Sequence, residues 1–230
     1  MSYMHINNLY RPEAQDLLNF KEAYALEKIH GTSAHIALNN NKIAFFSGGE
    51  KHANFIMLFD VEGIEKKLLE LGSPNLVIYG EAYGGKQQGM SNTYGDKLRF
   101  VAFDVKIGEK WLDVPKAEAL VKSLGLEFVD YEKIRCEISE LDRVRDTPSA
   151  IAKRNGIPED KKREGIVIRP LTEYTRNDGS RVIAKYKNVD FSERTREPKV
   201  REPVQVLVDA NAITTEWCTE MSLSHILGKM

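Results

Sequence analysis

Cysteine is scarce in this chain of 230 residues. Cys136 and Cys218 lie far apart with no CxxC partner, which argues against a disulfide framework or a closely spaced thiolate metal site. Buried or idle thiols in a reducing compartment are expected instead. No apolar run approaches the roughly 20 residues that span a bilayer. The start, Met1-Ser2-Tyr3-Met4-His5-Ile6-Asn7, lacks the basic and apolar stretches of a secretory signal. A cytoplasmic protein without a membrane partner is the expectation. Internal repeats and low-complexity segments are absent too, and the net charge is only −1.

That small net charge conceals an uneven distribution. Residues 161–201 hold twelve lysines and arginines against six acids, so the rest of the chain is acidic. Such a segment is most often a solvated surface, and less often a face that binds a polyanion.

Hydrophobic spacing predicts a helix over 12–20, helices near 61–71, 116–124 and 140–145, and strands at 24–28, 35–38, 42–46, 76–81 and 100–107. Residues 165–169 and 180–187 are expected to form a hairpin around Arg176-Asn177-Asp178-Gly179. Hairpins mixed with helices predict an α+β fold with antiparallel sheets. Beyond Pro203 the pattern turns helical again. We therefore expect a main domain over 1–202 and a helical extension over 203–230, read as the start of a further domain.

Candidate chemistry begins at Glu27-Lys28-Ile29-His30-Gly31-Thr32. On a strand, Lys28 shares an apolar face with Tyr24 and Leu26. A lysine there either snorkels to water or serves as a partly desolvated nucleophilic amine. Alternation puts Lys185 and Lys187 on one face, where they repel unless an anion sits between them; an exposed edge strand explains them equally well. Glu81 closes an apolar strand beside a glycine-rich loop, and Glu164 precedes another. Each is either a solvated strand-end acid or a ligand for a ribose or Mg²⁺. Phe103 is either a core residue or a ring that stacks on a purine.

Taken in order, Lys28-Ile29-His30-Gly31-Thr32, Tyr79-Gly80-Glu81, Phe103-Asp104-Val105, Glu164-Gly165-Ile166-Val167-Ile168-Arg169 and Lys185-Tyr186-Lys187-Asn188 form a series. The chain here resembles the covalent nucleotidyltransferases, and most closely the ATP-dependent nick-sealing RNA ligases. The resemblance implies antiparallel sheets flanked by helices around a nucleotide-binding cleft, the ATP-grasp-like ligase fold. It implies ATP as substrate, Mg²⁺ with Mn²⁺ as substitute, and Lys28 as the residue that becomes linked to AMP. Glu27, Ile29 and His30 would adjoin the nucleotide, Glu81 the ribose and Phe103 the adenine, with Lys185 and Lys187 on the α-phosphate. Glu164 would organise the metal, and Arg169 would contact phosphate or RNA. The partner would be RNA with a 5′-phosphate and a 3′-hydroxyl, as a nicked duplex, bound by a monomer.

The chain departs from the family where an arginine is expected, since Phe45-Phe46-Ser47-Gly48-Gly49-Glu50-Lys51 stands there. Lys51 is the expected replacement for the phosphate contact, with His52 as the alternative. Because family members carry a further C-terminal domain, efficient self-adenylylation with weak sealing is expected of this chain. The alternatives are a DNA ligase, a capping-type nucleotidyltransferase or a non-catalytic nucleic-acid-binding module.

Overall fold

The structure, a computed structural model, describes residues 3–191. The expected extension at 203–230 and Cys218 lie outside the described residues.

Two antiparallel sheets make the frame. The smaller has the order β7 (Tyr131–Arg135), β1 (Glu22–Lys28), β8 (Gly165–Pro170) and β9 (Ala184–Lys187). The larger runs β3 (Lys42–Ser47), β2 (Thr32–Asn39), β4 (Asn75–Tyr83), β5 (Arg99–Ile107) and β6 (Lys110–Trp111). The β2–β3 hairpin forms because Asn40 and Asn41 both take positive φ, 48° and 62°, as a two-residue turn with strand-matching twist requires. Alternation then sorts the faces of the larger sheet. Ile36 and Ile78 lie opposite each other in the core. His35 and Tyr79, also opposite each other, belong to the other face.

The helices α1 (His52–Ile56), α2 (Val61–Glu70) and α4 (Val114–Ser123) bury Phe55, Ile64, Leu68, Ala117 and Val121 in that core. A glycine ends α2 as expected, Gly72 at φ 66°. The shortest helix, α3 (Ser91–Tyr94), contributes Tyr94 to the core. The smaller sheet carries α5 (Ile138–Asp146), and α6 (Ala150–Arg154) packs against α3.

Two expectations change. The helix at 12–20 forms as a 3₁₀-helix, Pro12–Asn19; its buried Ala14 and Leu17 are three residues apart, the spacing that aligns in a three-residue turn. The hairpin at 165–187 pairs only from Ala184 onward. Residues 171–183 form a separate excursion, with Gly179 N–H bonded to Arg176 O and Arg176 N–H to Ser180 O.

One irregularity decides the geometry of the site. Between Tyr79 and Gly80 the β4–β5 register slips, so that Tyr79 faces Asp104 while Gly80 faces Ala102. Phe103 is the extra residue of a β-bulge, a device that re-aims a side chain. As a result Phe103 lines the same cleft whose far wall Asp104 stabilises. Gly80 is required at the bulge, because a Cβ there would sit 2.4 Å from the Phe100 ring and from Val101 O.

Candidate active site

The register aligns Lys28 of β1 with Gly165 of β8 and Gly165 with Lys187 of β9. Opposed residues share a face, so the two lysines flank a residue that has no side chain. Gly165 must be glycine: its φ is 154°, and a Cβ would lie 2.3 Å from Tyr186 O and 2.7 Å from the Lys187 Cα. Just before it, Glu164 is 1% exposed. Its Oε2 accepts from Lys28 Nζ at 2.8 Å and lies 3.3 Å from His30 Nδ1, while Oε1 lies 3.2 Å from Lys187 Nζ. Burial pushes this carboxyl up, but the charges of Lys28 and Lys187 and the neighbouring His30 outweigh it and hold the group below its ordinary value. The anion that the lysine face requires is therefore supplied, for Lys187, by the protein itself.

Glu81 stands on the opposite wall. It accepts from Gly31 N–H at 3.0 Å, and a Cβ on Gly31 would strike Ala82 O at 2.3 Å. The glycine after the Lys28 strand is thus fixed by close packing of β4. The turn is held again by Tyr94, whose hydroxyl accepts from His30 N–H at 3.3 Å. Burial pushes Glu81 up to about 7, against the attraction of Lys28 and the Gly31 bond and with some help from the charge of Glu164.

This shift has a measurable consequence. Between the ordinary value near 4.5 and about 7, the folded chain keeps a proton that the unfolded chain has released. Stability therefore falls as pH rises through that window and stays lower above it. Glu81→Gln keeps an acceptor for Gly31 but cannot ionise. Its stability relative to the parent should be unchanged near pH 4 and higher by up to about 3 kcal/mol at pH 8. Urea unfolding at the two pH values checks this, and an equal difference at both would contradict it.

Between the sheets lies a cleft of about 220 Å³. Leu26, Lys28 and Val167 form one wall, and Ser33, Glu81 and Phe103 the other. Glu27 and Ile29 also line it. Its third side is closed by the N-terminal segment, through Tyr3, Met4 and Ile6, which the sequence reading did not single out. That segment joins both sheets. Tyr3 donates its hydroxyl to Asp104 Oδ2 at 2.7 Å, while Lys185 N–H bonds Asn7 O and Leu9 N–H bonds Lys185 O, each at 2.9 Å. Burial, with the charge of Asp104 beside it, raises the Tyr3 phenol well above its ordinary value. The available signal was Tyr3 itself, an aromatic with a polar tip six residues before an apolar anchor, Leu9.

Several expected roles come out differently. Arg169 lines the cleft, but its donors are turned to partners within the protein. Its side chain is 1% exposed, and its donors go to Asp104, Glu173, Phe103 O and Leu112 O. Those partners use the whole guanidinium fork, leaving no N–H for a phosphate. Lys51 is exposed, precedes α1 and adjoins Glu50, and it does not line the cleft. The arginine position carries Gly48 and Gly49 because the chain passes close to Thr32: a Cβ would come within 3.2 and 3.0 Å of Thr32 Oγ1.

Glu27 keeps its place beside the cleft, but its carboxylate caps α6. It accepts from Ser149 Oγ at 2.5 Å, Ala150 N–H at 3.0 Å and Ile151 N–H at 3.3 Å. Nor do the described residues of the basic segment, 161–191, form a simple surface, for Arg163, Arg169 and Arg181 are buried and Lys162 pairs with Asp190, while residues 192–201 lie outside the described residues. Lys185 is partly buried opposite Val167. Cys136 meets its expectation: it is buried, and burial pushes its thiol up to about 11.

Two antiparallel sheets enclosing a lysine–carboxylate cleft define the nucleotidyltransferase type of fold, and solved structures agree. A Naegleria gruberi RNA ligase variant with AMP and manganese superposes with a TM-score of 0.62 at 17% identity. Another variant of that ligase, with ATP and manganese, gives 0.63 at 17%, and the ligase with pyrophosphate gives 0.61 at 18%. Each match covers 83% of this chain and 57% of the ligase. No curated protein matches the chain in sequence. The RNA ligase family model matches residues 21–187, and the chain belongs to that family.

Proposed function

We propose that the chain is the adenylyltransferase part of an ATP-dependent RNA ligase, with Lys28 as nucleophile. The observation that carries this is a lysine amine lining the cleft between the sheets, 2.8 Å from a buried carboxylate and in one row with a second lysine. In the first step Lys28 Nζ attacks the α-phosphorus of ATP. A P–N bond forms, the bond between the α- and β-phosphates breaks, and pyrophosphate leaves. The amine must first lose a proton, and Glu164 Oε2 is already the acceptor in its hydrogen bond. AMP then passes from Lys28 to an RNA 5′-phosphate, and a 3′-hydroxyl displaces it to seal the strand.

The side chains divide the work. Lys187, with Lys185 beside it on β9, offsets charge on the α-phosphate, where placed charge does most of the catalysis. Phe103 and Val167 offer apolar surface for the base. Glu81, above its ordinary value, is suited to exchange a hydrogen bond with a ribose hydroxyl. No cluster of three or more potential metal-ligating side chains occurs among the described residues. That fits Mg²⁺, which takes one or two carboxylates and completes its shell with water and phosphate; Glu164 and Glu81 supply hard oxygens of the right kind. A bound Mg²⁺ or Mn²⁺ would neutralise phosphate charge. The ATP, AMP and manganese bound by the similar Naegleria ligase variants support this choice of substrate and metal class.

The test is incubation with Mg²⁺ and ATP labelled at the α-phosphate, followed by denaturation. Protein-bound label is expected with ATP and not with GTP. Absence of label with ATP would overturn the reading.

A further inference from the structure

The face of the larger sheet that carries Ser33 and Glu81 continues into an aromatic row. Two residues along β2 and β4, roughly 7 Å away, His35 lies opposite Tyr79 and, on the other side, opposite Phe46 of the edge strand β3. The His35 and Phe46 rings stack, with centroids 4.9 Å apart and planes 25° apart. His35 is buried beneath, while Phe46 remains 49% exposed. Burial lowers the imidazole from its ordinary value, which keeps it neutral at pH 7, a flat apolar base for the phenyl ring. The row extends inward through Tyr79, 6.0 Å from His35.

A single exposed phenylalanine is ordinary. This one differs in its continuity with the cleft. Gly48, just past the end of β3, sits beside Ser33, and its N–H bonds Ser33 O at 2.9 Å. The His35–Tyr79 pair is the next pair along the strands on the face of Ser33 and Glu81, both of which line the cleft, so the stacked rings and the cleft belong to one face of the sheet.

We infer that the His35–Phe46 pair is a stacking platform for a nucleobase of the RNA, on a nucleotide next to the end held in the cleft. This rests on the reading of the chain as an RNA ligase. An aromatic ring accepts any base, since every base has a π-face, so the platform would hold the strand without reading its sequence.

The experiment uses the full chain and a 5′-phosphorylated nicked RNA duplex at fixed salt. Affinity should fall about tenfold for Phe46→Ala and for Phe46→Leu, within the range of one lost base stack, and stay near the parent for Phe46→Trp. Protein-bound AMP from labelled ATP should be unchanged in all three. Replacing one base near the phosphate by an abasic site should cost the parent the same factor and Phe46→Ala nothing further. If the parent forms protein-bound AMP but Phe46→Ala binds the duplex as tightly as the parent, the platform is overturned and the ligase reading stands. Loss of AMP linkage in Phe46→Ala would likewise overturn it, by showing a structural role. A parent that neither binds the duplex nor forms protein-bound AMP removes both.

Discussion

Lys28→Ala will take up no label from α-labelled ATP, while the parent chain retains it through denaturation. The expected loss is complete, because among the described residues no other amine shares the geometry of Lys28. Lys187 is in the same row but reaches the other oxygen of Glu164, and its neighbour Gly165 leaves no side chain in between. The informative companion is Lys28→Arg. A guanidinium keeps a positive charge against Glu164, yet it does not give up its proton in a protein. If the residue served only as a counter-charge, arginine would preserve part of the labelling; as a nucleophile it should preserve none. Folding can be checked separately, since Lys28 is only partly buried at the cleft. Label persisting in Lys28→Ala would place the covalent site elsewhere.

The second large effect is on stability. Asp104→Ala should destabilise the fold by about 3–5 kcal/mol, the usual cost of removing one partner from a buried ion pair. Asp104 is fully buried on β5 and holds Arg169 through Oδ1 at 3.1 Å, Arg181 through Oδ2 at 2.5 Å, and the Tyr3 hydroxyl. Both arginines also bind Glu173, and Arg181 lies 4.0 Å over the Trp111 ring. Without Asp104 two buried guanidiniums would share one carboxylate. For a chain of this size a loss of that order lowers the melting temperature by roughly 10 °C. The network ties β5 to β8 and to the 171–183 excursion, and through Tyr3 to the N-terminal segment. Nucleotide affinity should therefore weaken along with stability. The double variant Asp104→Ala/Arg181→Met should recover part of the lost stability, because it removes one unpaired charge together with its partner. A loss under about 1 kcal/mol for Asp104→Ala would show that water or rearrangement satisfies both arginines.

Local pattern carried much of this molecule. The hairpin at Asn40 and Asn41, the helix stop at Gly72, the alternation of Tyr24, Leu26 and Lys28 and the strand at 76–81 are all properties of a few adjacent residues, where backbone sterics and period-2 or period-3.6 burial dominate. The candidate nucleophile and its carboxylates were legible as well, because each ends or begins a strand and they follow one another in family order. Less legible were the partners. The resemblance made Arg169 a phosphate or RNA contact, and nothing near it in the chain shows that Asp104, 65 positions earlier, is placed against it. Lys51 read as a substitute for an arginine because nothing local shows that Gly48 and Gly49 are pressed against Thr32.

The sequence by itself determined most of the elements and their order, and it set the lysines and carboxylates of the candidate site in the series that resembles the ligases. Tertiary structure alone decided which groups meet. Lys28 and Glu164 are 136 residues apart, and they touch because β1 and β8 pair in one register. The β4–β5 bulge turned Phe103 toward the cleft, and the N-terminal segment closed it. The physical reason is that alternation along a strand fixes only which face a side chain takes, whereas its neighbours on that face depend on the register of strands brought together from far along the chain.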